Sequence, residues 1–558
     1  MAGFSDLPLE LVEFILSYCS QPELYALSIM SKSLFNITGP FLYKNVDLCI
    51  RSKAPPVDRF IINMTDQRRL LNRITTLRIG QSSFERIAID GRQRLAPSTP
   101  ENQTTVLNLA CKILGAMFGP ILSQQSKNLI DDIYSRNYGG FVTLIILLSR
   151  NLRRLEIMDQ GCNLILPQYL YYHLNTMDIR QRIPSPSIPE MSFNVDHTGV
   201  QSLNRDCRFD LASVLTTPGL TTLEFYVYNI TRLSASEMPF TRFSPTIGLA
   251  ALNITTIILR HTRLITGILT CILPHTRALR TLVCEYFYDW GSHDWTRNVS
   301  EKRWINVSAL NDNLHFVKSS LQILVASVEC CDLTRPFFQQ PDILAQSTGK
   351  LDLVDFEKLH TLELPFPFIT GDFQFSHRNA FESKLPPNLR HLLLRPDMSR
   401  AQFTYPVDTT LFLLETHLTA WTKHAEASVV ANTDTTYMFR VTLSLVANTP
   451  GLESVTIWQP AQRSVGWSQA QLEDLTTLCK DNRIACVVAY PQLIRTLKAE
   501  NWNLVKECVL VDPNRSIGNL TEKRLRGRRE NGIPLGLGAQ YHLHAIRQGA
   551  VDAWSDYP

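Results

Sequence analysis

The chain has 558 residues, several times the ~100–200 residues of one compact domain, so it contains either several domains or an array of stacked repeats. Hydrophobic residues make up 44% and charged residues 19%, a composition that supports a large folded core and argues against bulk disorder. With 55 Lys and Arg against 51 Asp and Glu, the formal net charge is only +4. This balance argues against nucleic acid or an anionic membrane as the main partner.

The twelve cysteines are scattered and form no Cys-x-x-Cys pair, so the sequence offers neither a zinc ribbon nor a thioredoxin-type motif. The first residues lack the basic stretch and apolar core of a signal peptide. The longest apolar run, Phe141 to Leu148, is less than half of the ~20 residues that cross a bilayer. We therefore expect a cytoplasmic or nuclear protein with free thiols, without a cofactor, a metal or a small-molecule ligand.

The first fifty residues predict a small helical module. Apolar residues recur at helical spacing around Pro8, namely Leu7, Leu11, Phe14, Ile15 and Tyr18. Ser20-Gln21-Pro22-Glu23 is typical of a capping box, and a second helix carrying Leu24, Leu27 and Leu34 is predicted to end at Gly39-Pro40. A second apolar face is formed by Val12, Leu16, Tyr25 and Ile29. We expect something outside these helices to cover that second face.

The same residues resemble the F-box over about 40 positions. The matching segments are Leu7-Pro8-Leu9-Glu10-Leu11, Ile15-Leu16, Leu24, Leu27-Ser28 and Lys32, and Tyr43-Lys44-Asn45-Val46-Asp47-Leu48 resembles the segment that often follows it in fungal members. Ser31-Lys32-Ser33-Leu34 departs from the usual Cys-Lys-x-Trp. The resemblance implies docking on a Skp-type adaptor that links the chain to a cullin and a RING subunit. It assigns adaptor binding to Leu7, Pro8, Leu11, Ile15, Leu24 and Leu27.

One apolar phrase recurs in the body of the chain, with spacing apolar, two residues, apolar, one residue, apolar. It occurs as Ile74/Leu77/Ile79, Leu152/Leu155/Ile157, Leu220/Leu223/Phe225, Ile254/Ile257/Leu259, Leu279/Leu282/Cys284, Leu321/Leu324/Ala326, Leu359/Leu362/Leu364, Leu389/Leu392/Leu394 and Leu452/Val455/Ile457. Helical runs precede several phrases, at Leu211 to Leu215, Ile268 to Leu273 and Leu443 to Val446. The repeating unit is therefore predicted to be helix, turn and strand, as in a leucine-rich repeat.

These patterns predict an α+β chain in which an all-α module is followed by an irregular α/β leucine-rich-repeat solenoid, a horseshoe with parallel strands on its concave face. The predicted boundaries are 1–50 for the helical module, 51–500 for the solenoid and 501–558 for a basic C-terminal tail. An unrelated α/β fold with leucine-rich strands is the alternative.

Residues between the apolar positions of each phrase face away from the core, because side chains alternate across a strand. We expect this surface to bind a protein substrate because it is mixed in charge and polarity. Candidate contacts are Arg78, Arg154, Glu156, Glu224, Glu363 and His391, and Thr222, Thr281, Val283, Leu393 and Thr456 share the surface. The aromatic residues from Tyr286 and Trp290 to Trp304 either anchor a partner or pack back onto the repeats.

Four segments interrupt or follow the phrases. Proline-rich loops are predicted at Ser83 to Glu101 and Gln181 to Val200, and a helix on the outer face is predicted at Thr409 to Ala431. The basic run Lys523 to Arg529 indicates a nuclear-import signal, a nucleic-acid contact or a solvated tail.

No nucleophile elbow, His-Glu-x-x-His motif or phosphate loop is present, so the sequence does not predict an enzyme. Three functions remain open. The first is the substrate receptor of a Skp/cullin/F-box ubiquitin ligase, and the second is an interaction scaffold without a ligase role. The third is an enzyme or nucleic-acid binder that uses the basic tail. Only the first uses both the helical module and the repeats.

Overall fold

The structure is a computed structural model, and it describes part of the chain. The described residues are 7–19, 21–50, 56–66, 68–81, 99–118, 124–159, 188–195, 214–215, 217, 219–227, 253–262, 265–289, 305–331, 347–376, 385–399, 434–459, 466–493 and 502–511. The chain divides into two compact units. The first comprises Met1–Asn229 and Leu233–Ile254, and the second comprises Ile230–Arg232 and Thr255–Pro558.

The first unit begins with three short helices, α1 (Leu9–Tyr18), α2 (Gln21–Met30) and α3 (Lys32–Leu42). Ser31 separates α2 from α3, because its hydroxyl accepts a hydrogen bond from the Leu34 amide at 3.1 Å and so caps α3. The prediction of one helix that carries Leu34 and ends at Gly39-Pro40 was wrong. Pro40 lies in the last turn of α3, where the loss of one amide hydrogen interrupts little of the helix. Ser20, the start of the predicted capping box, lies outside the described residues.

Five parallel strands follow in the first unit, adjacent in the sheet in the same order as in the chain. The strands are β1 (Asn45–Asp47), β2 (Thr76–Gln81), β3 (Arg154–Asp159), β4 (Glu190–Val195) and β5 (Thr222–Val227), and the intervening helices are α4 (Val57–Asp66), α5 (Arg68–Leu71), α6 (Pro100–Phe118), α7 (Gln124–Tyr134) and α8 (Tyr138–Leu148). Tyr138 ties α8 to the sheet, since its hydroxyl donates to the Leu48 carbonyl at 2.8 Å and accepts from the Gly80 amide at 3.1 Å.

The second unit repeats the alternation of strands and helices. Its strands are β6 (Thr256–Thr262), β7 (Thr281–Asp289), β8 (Ile323–Cys331), β9 (Thr361–Pro365), β10 (His391–Arg395), β11 (Ser454–Trp458), β12 (Ala485–Leu493) and β13 (Trp502–Val511), and its helices are α9 (Ile265–Ile272), α10 (Val307–Leu314), α11 (Phe366–Thr370), α12 (434–448) and α13 (Gln469–Asp481). Strands β6 to β12 are parallel to their neighbours, and β13 is antiparallel to β12. Strand β13 falls in the segment that the sequence assigned to the tail.

The nine apolar phrases fall on β2, β3 and β5 to β11, which confirms the prediction of strands at these positions. Every apolar residue of the phrases is buried, with at most 5% of its surface exposed. Helices α9 and α12 contain most of the predicted runs at Ile268 and Leu443, so strand and helix alternate there as predicted. Burying these side chains against the helices supplies the main driving force for each unit.

Strand β4 corrects the predicted loop at 181–200. Ile188, Met191 and Phe193 are buried and have the spacing of the recurring phrase, and Phe193 stacks on Phe225 of β5 with 5.5 Å between ring centroids. The neighbouring prolines suggested a loop, but Pro189 directly precedes the strand. There its carbonyl still accepts from Thr221 and Thr222, at 2.9 and 2.8 Å. The predicted loop at 83–101 also ends early, because Pro100 begins α6.

Cys49, Cys284, Cys479 and Cys486 are buried free thiols, whereas Cys111 is exposed. Within the described residues, no helix combines the length and apolarity that crossing a membrane requires. The same part of the chain contains no group of His, Cys, Asp or Glu side chains suited to a metal ion.

Candidate functional site

Helix α1 is apolar on nearly its whole circumference, and only part of that surface lies inside the helical module. Val12 and Leu16 form the core of the module together with Leu24 of α2. Partly buried side chains surround this core, namely Leu7, Cys19, Leu27, Ile37, Phe41 and Leu42. The inward face of α1 is therefore the Val12 face, which the sequence had assigned to an external partner. That assignment was wrong for Val12 and Leu16.

The opposite face of α1 is an exposed apolar stripe. Leu11, Phe14, Ile15 and Tyr18 are 51%, 61%, 40% and 77% exposed. Their spacing of three and four residues puts them on one side of the helix, and the Phe14 and Tyr18 rings meet edge to face with 5.0 Å between centroids. Helix α2 contributes a shorter stripe of exposed Tyr25 and Ile29. A helix that is apolar all round normally has both faces covered, so this stripe is suited to a partner surface.

The six residues that the resemblance assigns to adaptor binding occupy different environments. Pro8, Leu11 and Ile15 are exposed, Leu7 and Leu27 are half-buried, and Leu24 is buried. Pro8 caps α1, and its carbonyl accepts the amides of Leu11 and Val12 at 3.0 and 3.1 Å. Leu11 and Ile15 can contact a partner directly. Leu24 supports the helices from inside the module.

Comparison with known families gives one result for this region. The family model for the F-box domain matches residues 4–40. The match covers α1, α2 and most of α3, and it supports an F-box protein that binds a Skp1-type adaptor. A comparison with curated proteins finds no matching relative.

A second candidate surface is the polar face of strands β1 to β5. Arg154 contacts three carboxylates, those of Glu156 at 2.8 Å, Glu190 at 3.2 Å and Glu224 at 3.1 Å. Arg78 contacts Glu156 at 2.8 Å and Asp47 at 4.0 Å. The cross-strand register brings these charges together, since Asp47, Arg78 and Glu156 are successive partners in one row. Among the residues that the structure describes, this face, here called the acidic ladder, carries two guanidiniums and four carboxylates.

The acidic ladder keeps its arginines charged. Burial lowers the pKa of Arg154, but Glu224 and Glu156 outweigh burial, so its pKa lies above the ordinary value. Burial likewise lowers the pKa of Arg78, and Glu156 reverses the shift. Four of these residues were predicted substrate contacts, and the structure brings them together: Arg78, Arg154, Glu156 and Glu224. Because the arginines already bind carboxylates, their guanidinium donors are engaged within the ladder.

The corresponding face of the second unit carries a buried charged cluster. Arg395 contacts Glu363 and Asp397, each at 2.7 Å, and its guanidinium lies 4.0 Å from the centre of the Trp458 ring. Asp397 also accepts the Val328 amide at 2.9 Å. Burial raises the pKa of Asp397, and the lowering contributed by Arg395 does not cancel that shift. Glu363 is 0% exposed, so this predicted substrate contact is held inside the cluster.

The remaining predicted substrate contacts lie apart from both charged groups or outside the described residues. His391 is half-buried, and its Nδ1 lies 2.8 Å from the Ser454 hydroxyl of the next strand. Tyr286 is buried on the core side of β7, where its ring packs edge to face against Phe368. It does not form the exposed aromatic anchor that the sequence suggested. Trp290, the segment 409–431 and the basic run 523–529 lie outside the described residues.

Sequence reasoning missed Arg395, Asp397 and Trp458. Arg395 lies two positions after Leu393, and Trp458 lies two positions after Thr456, so both share the face on which the predicted contacts lie. The alternation of inward and outward side chains, continued one or two residues beyond the recurring phrase, would have identified Arg395 and Trp458. The acidic partner Asp397 follows β10 and gave no periodic signal.

Proposed function

We propose that this chain is the substrate receptor of an SCF-type ubiquitin ligase that acts in the cytoplasm or nucleus. The exposed stripe Leu11, Phe14, Ile15 and Tyr18, which lies inside the F-box match, carries the proposal. Its apolar side chains supply the surface that a Skp-type adaptor would cover. F-box proteins are typically non-enzymatic adaptors, so the chemistry belongs to other subunits and this chain contributes proximity and orientation.

The substrate side of the proposal assigns a protein substrate to the polar faces of the repeated strands. Nine strands with the same buried apolar phrase support a leucine-rich-repeat solenoid, because each phrase repeats one strand with one inward face. The acidic ladder of the first unit favours a substrate segment with basic or hydrogen-bond-donating side chains.

The test is co-purification of the full chain with a Skp-type adaptor. We expect the wild-type chain to form a one-to-one complex and the Leu11→Asp/Ile15→Asp variant to lose it, with affinity reduced by about a hundredfold or more. Both side chains are exposed, so the variant should keep the circular dichroism and urea midpoint of the wild type.

A matched control is Tyr134→Asp/Phe316→Asp, which places the same charges at exposed apolar positions outside the helical module. This control should bind the adaptor like the wild type. If the folded wild-type chain does not bind the adaptor, the ligase role fails and an interaction scaffold becomes the better account.

A further inference from the structure

A cleft of about 740 Å³ opens in the first unit beside the points where the strands begin. Lys44 and Arg153 lie on its wall immediately before β1 and β3. Arg73 and Arg150 line it from the turns that lead into β2 and β3, and Glu13 of α1 contributes one carboxylate. The cleft is distinct from the apolar stripe of α1 and from the acidic ladder.

The cleft combines four cations with one carboxylate. Lys44, Arg73, Arg150 and Arg153 have exposed side chains, and none of them forms an ion pair with another residue in the part of the chain that the structure describes. The contrast with the acidic ladder is direct, because Arg78 and Arg154 each bind carboxylates there. Like charges that share a concave surface raise its positive potential, and an anionic ligand relieves their repulsion.

The backbone holds these cations at fixed spacing. The Lys44 carbonyl accepts the amides of Thr75 and Thr76 at 2.9 and 3.1 Å, and the Thr75 carbonyl accepts those of Arg153 and Arg154 at 2.8 and 2.9 Å. Lys44 and Arg153 are thus two strand spacings apart, about 10 Å between their backbones. The two turns are also linked, since the Asn151 side-chain amide donates to the Asn72 carbonyl at 2.7 Å.

We propose that this cleft binds an acidic segment of a partner protein. Arginine forks match the geometry of carboxylate and phosphate oxygens, and charges spread over about 10 Å fit several anionic side chains better than one small ion. A nucleic-acid strand fits less well, because its continuous phosphates would meet Glu13 in the cleft and the acidic ladder of the same unit. The proposal adds a second binding site to the proposed receptor and does not depend on adaptor binding.

The experiment measures fluorescence anisotropy of a labelled hexaglutamate peptide with the full chain, and a hexaglutamine peptide is the neutral control. The cleft variant is Arg73→Gln/Arg150→Gln/Arg153→Gln. The matched variant is Arg277→Gln/Arg280→Gln/Lys358→Gln, which removes the same charge from exposed residues of the second unit. We expect hexaglutamate to bind in a salt-dependent way, the cleft variant to weaken binding about tenfold and the matched variant to weaken it less than about twofold.

Three results of the peptide measurement would overturn the proposal. They are absence of hexaglutamate binding to the wild-type chain, equal binding of hexaglutamine, and equal weakening by the two variants. A phosphoserine version of the peptide distinguishes the two oxyanions, because tighter binding identifies phosphate as the preferred group and equal binding identifies carboxylate.

Adaptor co-purification separates this site from the proposed ligase role. The cleft variant should bind a Skp-type adaptor like the wild type. If it loses the adaptor, the cleft belongs to the adaptor surface and the proposal fails. If the wild-type chain binds hexaglutamate at the cleft but binds no adaptor, the cleft proposal stands and the ligase role fails.

Discussion

Replacing Arg395 by alanine is expected to lower the free energy of unfolding of the second unit by about 3–5 kcal/mol, the usual cost of breaking a buried ion pair. The substitution removes the cation that lies 2.7 Å from both Glu363 and Asp397, and these carboxylates are 0% and 2% exposed. It also removes the contact with the Trp458 ring. Urea unfolding followed by circular dichroism measures the change.

Arg390→Ala is the matched control, since Arg390 pairs with Glu453 at 3.6 Å while both side chains are more than half exposed. An exposed pair contributes at most about 1 kcal/mol, so this variant should unfold close to the wild type. Equal losses for the two variants would show that the buried cluster does not stabilise the unit.

The deficit of the Arg395→Ala variant also depends on pH. The pKa of Asp397 is raised above 3.8 by burial, and removing Arg395 raises it further. A raised carboxyl pKa means that the folded state favours the neutral acid. Stability is therefore lost as the pH rises from the ordinary value of 3.8 through the raised pKa of the folded state. The deficit should therefore shrink toward pH 3.8 and be largest near neutrality. A deficit that does not change with pH would contradict this origin.

Replacing Gly80 by alanine is expected to destabilise the first unit by roughly 3–5 kcal/mol, from the sum of backbone strain and overpacking. Gly80 has a φ of 108°, which side chains rarely allow. A Cβ atom there would lie 1.7 Å from the Met158 carbonyl oxygen on the neighbouring strand. Strands β2 and β3 cannot keep their present separation with this atom between them. The variant should therefore unfold at a clearly lower urea concentration.

Gly115→Ala provides the opposite expectation. Gly115 lies in the interior of α6, and a Cβ atom there meets nothing within 4 Å. Alanine should raise the free energy of unfolding by about 0.5–1 kcal/mol through its higher helix propensity. If Gly80→Ala is as stable as the wild type, the described close approach of β2 and β3 is wrong.

The strands were the most predictable part of the fold. A buried side chain at every apolar position of the nine phrases follows from alternation along a strand, and leucine at these positions is a strong signal. Strand β4 was missed because Met191 and Phe193 replace leucine and several prolines precede them. Strand β13 pairs with β12 but does not carry the recurring phrase, so the sequence analysis placed β13 in the tail.

The candidate site was predictable only in part. The sequence identified the apolar residues of α1, but their spacing did not decide which stripe faces inward, because Val12 and Ile15 are equally apolar. Packing of α1 on α2 and α3 decides it. Four of the six charged ladder residues were predicted from alternation, whereas the cleft cations precede the strands and belong to no periodic pattern.

The most direct test of the central claim is a calorimetric titration of a Skp-type adaptor into the full chain, comparing Phe14→Ala and Ile15→Ala with Phe316→Ala. All three side chains are exposed, but only the first two lie on the stripe of α1. The stripe should be the docking surface, so each of its variants should weaken adaptor binding by at least about tenfold, while Phe316→Ala leaves the affinity unchanged. Unchanged affinity in both stripe variants would contradict the claim that this face of α1 binds the adaptor.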